Sequence, residues 1–209
     1  MNPGPELKNI ADAVSTCKNC ELYHSREKGV PGEGPSDAEI MFIGEGPGFH
    51  ENMQGRPFVG AAGDLLVELL REIGMKREQV FITNVVKCRP PGNRDPLPEE
   101  LKACSLYLEK QLQIINPKVI VTLGRYSMAR FMPNAKISEV HGQPIKVKGM
   151  LVVPFFHPAA ALHRPSLRPV VEEDFSKLPD LIRNAEKTPI YQPEERIEDD
   201  NQAEQLSLF

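Results

Sequence analysis

The chain has 209 residues, of which 40% are hydrophobic and 26% charged, and this suits one globular domain with tails. No apolar run approaches the roughly 18 residues of a membrane span, and the segment MNPGPELKN lacks a signal-peptide pattern, so a cytoplasmic protein is expected. The net charge of −4 does not exclude a nucleic-acid partner. Of 29 acids and 25 bases, seven acids and two bases fall in residues 186–209, which leaves a near-neutral body.

Helix and strand patterns alternate along the first part of the chain. Apolar positions three or four apart predict a helix over residues 7–16, and an apolar run over residues 40–43 predicts a buried strand. Apolar residues at helical spacing predict a helix that begins at residue 61 or 62 and ends before Gly74. Residues 80–86 form the second strand pattern.

The second half of the chain continues this alternation. The predicted elements are a proline-rich loop over residues 88–96, a helix over 98–115, a buried strand over 118–123, a short helix ending at 131, an irregular hairpin over 140–153, a last strand over 151–156 and a helix over 170–184 that Pro179 bends or interrupts. Strands that alternate with helices predict an α/β fold, whose mainly parallel sheet is covered by helices on both faces.

A glycine-rich turn follows the first predicted strand. In Gly44-Glu45-Gly46-Pro47-Gly48, three glycines surround one carboxylate, and glycine lets the backbone approach a ligand closely. A strand, such a turn and a helix is how open α/β sheets build sites at the carboxyl ends of their strands. The alternative is a tight turn whose glycines serve geometry alone. A phosphate loop is not indicated, because no Gly-Lys-Ser/Thr ends the segment.

The four cysteines fit one arrangement. Cys17 and Cys20 form a C-x2-C pair, and Cys88 and Cys104 follow with fifteen residues between them. Each could be a small buried hydrophobe, but four cysteines with none left over favour one shared site of structural role. Disulfides are not expected in a cytosolic chain. Four thiolates can hold zinc or an iron–sulfur cluster, and spacing alone does not choose between them. A redox pair is the third interpretation, although no βαβ pattern begins beside it.

Several motifs together are similar to one known family. GEGPG, RPFVG, ITNVVKCRPP and HPAAALHR, in this order and with the four cysteines, resemble the iron–sulfur-containing family 4 uracil-DNA glycosylases over roughly residues 10–185. The resemblance implies a four-stranded, mainly parallel sheet in a three-layer α/β/α sandwich. It also implies a [4Fe-4S] cluster on Cys17, Cys20, Cys88 and Cys104. The implied activity hydrolyses the bond between uracil and deoxyribose and leaves an abasic site, in base-excision repair of deaminated cytosine.

The resemblance implies roles for the side chains of these motifs. Phe58 stacks on a uracil flipped out of the DNA, Asn84 pairs with N3–H and O4 of the base, and His157 donates to O2 as negative charge develops on the departing uracil. Glu45 orients the water or stabilises the cationic sugar. From the residues alone, Phe58 equally suits a hydrophobic core, Asn84 a turn at a strand end, and His157 a structural turn before proline.

Further residues match the family around this pocket. Gly44 and Gly46 belong to the implied uracil pocket. Other uracil-DNA glycosylases carry an aspartate where this chain has Gly46. Glu51 matches a glutamate near uracil C5, where a methyl group would clash, so it is expected to exclude thymine; a solvated loop acid is the alternative. Leu162, His163 and Arg164 resemble the loop that wedges into the duplex and holds phosphates.

The chain also departs from the family pattern. Phe49 and His50 stand where the family usually has acids, and Ala159 stands where serine is common. Some relatives trap the sugar covalently with a histidine in a basic loop. Residues 89–98 contain no histidine, so that behaviour is not expected here.

The last residues carry a separate signal. Domain boundaries are predicted as residues 1–186 for the enzyme and 187–209 for an acidic tail that is expected to be disordered. The tail ends in Gln205-Leu206-Ser207-Leu208-Phe209, which resembles the peptide by which bacterial proteins dock on the DNA polymerase sliding clamp. A frayed end without function is the alternative.

Uracil-containing DNA is thus the expected substrate of a monomeric glycosylase that has no membrane partner. Two other classes of protein compete with this interpretation. One is a non-catalytic nucleic-acid-binding module stabilised by a metal on the same cysteines. The other is an iron–sulfur electron carrier, which would not need Phe58, Asn84 or His157.

Overall fold

One five-stranded sheet forms the centre of the molecule, which is known from a computed structural model that describes residues 4–191. Its strands are β1 (Ile40–Gly44), β2 (Phe81–Asn84), β3 (Val119–Leu123), β4 (Ile145–Val147) and β5 (Met150–Phe155). They lie in the order β2-β1-β3-β5-β4. Strands β2, β1, β3 and β5 are parallel and form the expected four-stranded sheet. To these, β4 adds a fifth strand that was not expected, which is antiparallel and pairs with β5 in the predicted hairpin.

Helices cover both faces of this sheet. They are α1 (Pro5–Thr16), α2 (Phe49–Gln54), α3 (Ala61–Glu72), α4 (Pro98–Ile115), α5 (Arg125–Ala129), α6 (Ile137–Val140), α7 (Pro158–His163) and α8 (Arg168–Arg183). Successive strand residues point to opposite faces, so Met41 packs with α1 and α4, whereas Phe42 packs with α3 and α8. The fold is therefore a three-layer α/β/α sandwich.

The parallel register places four strand ends at one edge of the sheet. Gly44 at the end of β1 lies opposite Asn84 at the end of β2, and Leu123 at the end of β3 lies opposite Phe155. The residues that follow these strands therefore meet at one edge, where open α/β sheets bind their ligands.

Helix α4 has the predicted bounds, but other helices depart from expectation. Helices α2 and α6 were not predicted from the sequence. Leu162 and His163 were expected in a loop and instead end α7, which starts with Pro158 at the favoured first helical position. Helix α8 continues through Pro179 without interruption.

The last described residues lie along the edge of the sheet. The backbone N–H of Lys146 donates to the Pro189 carbonyl at 2.8 Å, and that of Tyr191 donates to the Lys146 carbonyl at 2.9 Å. The predicted boundary after residue 186 falls just before this paired segment. The predicted clamp-binding peptide, residues 205–209, lies outside the described residues. Among residues 4–191, no helix combines the length and the apolarity needed to cross a bilayer.

Candidate active site

A cavity of about 370 Å³ opens at the carboxyl edge of the parallel strands. Its lining contains most of the residues that the sequence analysis assigned to catalysis or to uracil: Glu45, Gly46, Glu51, Phe58, Asn84 and His157. His163, which was assigned to DNA, lines it as well. Gly44 lies directly behind Asn84 and Phe58. Residues scattered over more than a hundred positions of the chain are thus brought to one site, of a size that suits a single base.

Phe58 forms an aromatic wall in an unusual backbone conformation. It is 6% exposed and its φ is 50°, a left-handed value that a bulky residue rarely adopts. Two glycines make room for it. A Cβ on Gly63 would lie 2.0 Å from the Phe58 carbonyl oxygen, and one on Gly44 would lie 2.7 Å from the ring. A larger residue at Gly63 would therefore displace the Phe58 backbone, and one at Gly44 would displace its ring.

An arginine that the sequence analysis missed holds this turn. The Arg77 guanidinium donates to the carbonyl of Phe58 at 2.9 Å and to that of Pro57 at 2.5 Å. It also pairs with Glu33 at 3.0 Å, and Glu33 in turn pairs with Arg56 at 2.7 Å. The two arginines lower the pKa of Glu33 against the opposing effect of its burial. The strained Phe58 is thus fixed from outside the cavity, by contacts that no local sequence pattern signals.

Asn84 brings an unsatisfied acceptor to the cavity. The residue is 1% exposed, and within the described chain its Oδ1 atom is buried with no hydrogen-bond partner. Leaving a buried carbonyl unpaired costs roughly 1–3 kcal/mol. A Cβ on Gly44 would lie 2.4 Å from this Oδ1, so the glycine also sets the position of the amide. A ligand with an N–H group at this point would satisfy the unpaired oxygen.

His157 follows β5 and caps α7. Its Nδ1 accepts a hydrogen bond from the Ala159 backbone N–H at 3.1 Å. Burial lowers its pKa to about 4, against the opposing effect of the Glu51 carboxylate. The ring is therefore neutral at pH 7 and carries its proton on Nε2, because Nδ1 is the acceptor. It also stacks on Phe58, with ring centroids 5.4 Å apart and planes 23° apart.

Glu45 is the first residue after β1. Burial raises the pKa of its carboxyl, Asp95 raises it further, and Arg125 opposes both. Asp95 and Arg125 form an ion pair with each other. No group among residues 4–191 donates a hydrogen bond to the Glu45 carboxylate. This carboxylate is therefore available to a water molecule or to a cationic group in the cavity.

Glu51 lies on α2 and is fixed by backbone donors. Its Oε1 accepts from Val59 N–H at 2.8 Å and from Gly60 N–H at 2.9 Å. Both donors belong to the turn that follows Phe58. Glu51 is therefore a buttress of this turn and a wall of the cavity, and the alternative of a freely solvated loop acid is not what the structure has.

The predicted DNA-contacting residues lie beside the cavity. His163 lines it, and its exposed neighbours Leu162 and Arg164 flank it at the carboxyl end of α7. Leu162 is 43% exposed, which is unusual for so large an apolar side chain. In place of the expected loop, Leu162 and His163 end the short helix α7, and Arg164 directly follows it.

The four cysteines line a second, smaller cavity between α1, α4 and the loop after β2. All four are free thiols, and burial raises the pKa of Cys20, of Cys88 and of Cys104, the last to about 11. N–H groups donate to three of the sulfur atoms: Asn19 to Cys17 at 3.5 Å, Lys87 to Cys104 at 3.2 Å and Arg26 to Cys88 at 3.4 Å. Within residues 4–191, no three or more His, Cys, Asp or Glu side chains are arranged so that they could bind a metal ion.

Lys87 connects the two cavities, and the sequence analysis missed it. Its fully buried ammonium donates to Thr83 Oγ1 at 2.6 Å, to the Asn84 carbonyl at 2.7 Å and to Gln111 Oε1 at 2.8 Å. Burial lowers its pKa to about 7. A lone lysine at the end of an apolar run, directly before a cysteine, was the available signal. Its three bonds tie the strand end that carries Asn84 to α4, which carries Cys104.

Comparison with known proteins gives consistent matches. A family model described as the uracil DNA glycosylase superfamily matches residues 31–178. A type-4 uracil-DNA glycosylase of Sulfurisphaera tokodaii is 51% identical over 185 residues, which cover 84% of each chain. Another from Thermotoga maritima is 49% identical, covering 85% of this chain and 95% of the relative. A third, from Archaeoglobus fulgidus, is 46% identical, with 87% and 96% covered.

Proposed function

Because the chain belongs to the uracil-DNA glycosylase superfamily and, within it, to the type-4 uracil-DNA glycosylases, we propose that it excises uracil from DNA at the cavity described above. The carrying observation is that Asn84 lines the same cavity as Phe58 and His157, and that its buried Oδ1 has no hydrogen-bond partner among residues 4–191. The biological setting proposed is base-excision repair of deaminated cytosine.

Uracil recognition assigns complementary roles to two side chains. Phe58 offers a flat wall for stacking. Asn84 Oδ1 accepts from uracil N3–H, and its Nδ2 donates to O4. Cytosine has no hydrogen on N3 and carries a donor at position 4, so both partners of Asn84 would be mismatched. A site with buried polar groups rejects such an analogue strongly, since those groups are left unpaired.

Cleavage develops negative charge on the leaving base. When the bond between C1′ and N1 breaks, its electron pair passes to the uracil ring and is shared with O2. Neutral His157, with its proton on Nε2 and Nδ1 held by Ala159, donates a hydrogen bond to O2. A donor fixed before the reaction stabilises the transition state without reorganisation. Because the imidazole is neutral, uracil leaves as an anion and takes no proton from His157.

Glu45 acts on the sugar side of the reaction. The sugar becomes cationic as the base departs, and water then adds to C1′ and loses a proton. The Glu45 carboxylate, to which no group within residues 4–191 donates a hydrogen bond, stabilises the cation and accepts that proton. Its raised pKa makes it a better proton acceptor than an ordinary glutamate.

Glu51 provides the discrimination against thymine. Two backbone N–H groups hold its carboxylate, so the side chain cannot swing aside for the methyl group on thymine C5 without losing both bonds. We assign Leu162 to the space that the flipped nucleotide leaves in the stack, and His163 and Arg164 to the flanking phosphates.

The four cysteines suit a [4Fe-4S] cluster. The thiols line one cavity, and N–H donors reach three of the sulfur atoms, as expected around metal-bound thiolates. When bound, the cluster supplies a cross-link between the N-terminal helix, the loop after β2 and α4. Iron and acid-labile sulfide in equal amounts, four of each per chain, would support this assignment. One zinc per chain and no sulfide would contradict it.

The C-terminal peptide is proposed as a tether. Residues 205–209 would bind the sliding clamp and raise the local concentration of the enzyme at newly made DNA. The proposal rests on the sequence of the peptide. Clamp titration with the full chain and with a chain lacking these five residues tests it, and equal affinities would end it.

A cleavage assay tests the proposed activity. Single- and double-stranded oligonucleotides carry one uracil or one thymine, and alkali reveals abasic sites. We expect cleavage only at uracil, and a loss of roughly 100- to 1,000-fold for His157→Ala and Asn84→Ala, since each removes a group that contacts the base. His24→Ala and Asn184→Ala, at exposed positions, are the matched controls. Binding of DNA without cleavage by cofactor-loaded protein would favour the non-catalytic module instead.

A further inference from the structure

An exposed aromatic side chain stands at the rim of the active-site cavity. Phe49 begins α2, directly after Gly48 of the cavity lining, and 54% of the residue is exposed. The His50 ring packs edge-to-face with the Phe49 ring, with ring centroids 5.5 Å apart and planes 83° apart. The ring thus has an aromatic neighbour, yet about half of the residue remains open to solvent.

A guanidinium group lies over the same ring. Arg89 is 5.4 Å from the Phe49 ring centroid, within the range of a cation–π contact. Its Nε donates to Asn93 Oδ1 at 2.7 Å, and Asn93 lines the cavity. Nearby Arg94 and Arg125 are each paired with a carboxylate. Within residues 4–191, by contrast, no carboxylate pairs with Arg89, so its charge is available to an anion.

An aromatic ring beside an unpaired guanidinium is a combination that binds nucleic-acid strands. Every base has an apolar face that stacks on an aromatic ring, and arginine holds the adjoining phosphate. The charge of Arg89 complements a polyanion, and Gly48 and Asn93 make this surface continuous with the cavity.

We propose that Phe49 and Arg89 form a strand-holding platform, in which Phe49 stacks on the base next to the flipped uracil and Arg89 binds its phosphate. The inference rests on the proposed excision of uracil from DNA and adds a contact outside the catalytic cavity. Stacking of this kind needs an unpaired base, so the platform favours single-stranded or locally opened DNA.

Affinity measurements test the platform directly. The probe is a single-stranded oligonucleotide with 2′-fluoro-2′-deoxyuridine, whose fluorine slows cleavage, and its duplex form. We expect Phe49→Ala to weaken single-strand binding about tenfold, a typical value for one lost stacking contact. Arg89→Ala should reduce the slope of log affinity against log salt by roughly 0.7, as for one lost phosphate contact on a single strand.

Two control variants remove similar groups elsewhere. Val67→Ala deletes an exposed apolar side chain from α3. Lys118→Ala removes an exposed cation that pairs with Glu39 before the amino ends of β1 and β3, opposite the cavity. Both controls should retain wild-type affinity and salt dependence. If Phe49→Ala and Arg89→Ala bind as these controls do, the platform is refuted.

A fluorescence experiment places the contact on the DNA. The chain contains no tryptophan, so Phe49→Trp introduces a sole indole reporter. We expect its emission to be quenched when DNA binds, whereas Val67→Trp stays unquenched; equal responses would overturn the proposal. If the wild-type enzyme excises uracil and the platform variants bind normally, only this inference fails. If cofactor-loaded wild-type protein cleaves no uracil, the proposed function fails with it.

Discussion

Acidification provides a sharp test of the His157 assignment. The pKa of an ordinary histidine is 6.5, and burial lowers that of His157 to about 4. At about 1.4 kcal/mol per pKa unit, this difference corresponds to about 3.5 kcal/mol of folding free energy. Because the unfolded chain binds the proton first, stability is full above pH 6.5 and is lost as pH falls toward 4.

The assay compares wild type with His157→Asn, whose side chain can still cap α7. Urea unfolding at pH 7.5 and at pH 5.0 should show about 2 kcal/mol more acid destabilisation in wild type than in the variant. His24→Asn removes an exposed imidazole and serves as the control. Histidine NMR on the same proteins gives the midpoint directly. A His157 midpoint near 6.5, or parallel stability curves for wild type and His157→Asn, would refute the argument.

Three further substitutions follow from the geometry of the site. Gly44→Ala should fold but lose about 100-fold in single-turnover excision, since its Cβ displaces Asn84 and Phe58 by contacts of 2.4 and 2.7 Å; an unchanged rate would contradict the packing. Arg77→Ala should lower the free energy of unfolding by roughly 1.5–3 kcal/mol, measured in urea, because its charged hydrogen bonds hold the turn. Glu45→Gln should lose roughly 100-fold in rate at pH 7.5. It should also lose the acidic limb of the pH–rate profile, whose inflection lies above 4.5 in wild type because the pKa is raised; retention of that limb would exclude Glu45 as its source.

Helices and strands were mostly predicted correctly where the sequence carries a local signal, such as a helix start or an apolar run. Helix α4 has the predicted bounds, since Pro98 and two acids mark its start and apolar spacing marks its course. The parallel strands were found from their apolar runs. Helix α2 was missed because it is only six residues long, is mostly polar and depends on tertiary contacts. Buried Asn52, for instance, accepts from the Glu27 N–H at 3.0 Å. Helix α7 was missed although Pro158 signalled a helix start.

The sequence predicted which residues belong to the candidate site, but not the geometry of the site. Motifs nominated Asn84, Phe58 and His157, and the structure brings them to one cavity. The left-handed backbone of Phe58 was not predictable, because it depends on Arg77 and on glycines distant in sequence. The neutral state of His157 was not predictable either, since it results from burial against Phe58.

The bonds of Lys87 also have a consequence for synthesis of the protein on the ribosome. Asn84 leaves the ribosome before Gln111, the residue whose side chain completes the acceptor set of Lys87 and joins β2 to α4. His157 emerges later still. Until α4 has formed, Lys87 lacks its Gln111 acceptor and the end of β2 is not joined to this helix. The cavity is complete only after His157 has been translated. The proposed uracil pocket is therefore completed late in the synthesis of the chain.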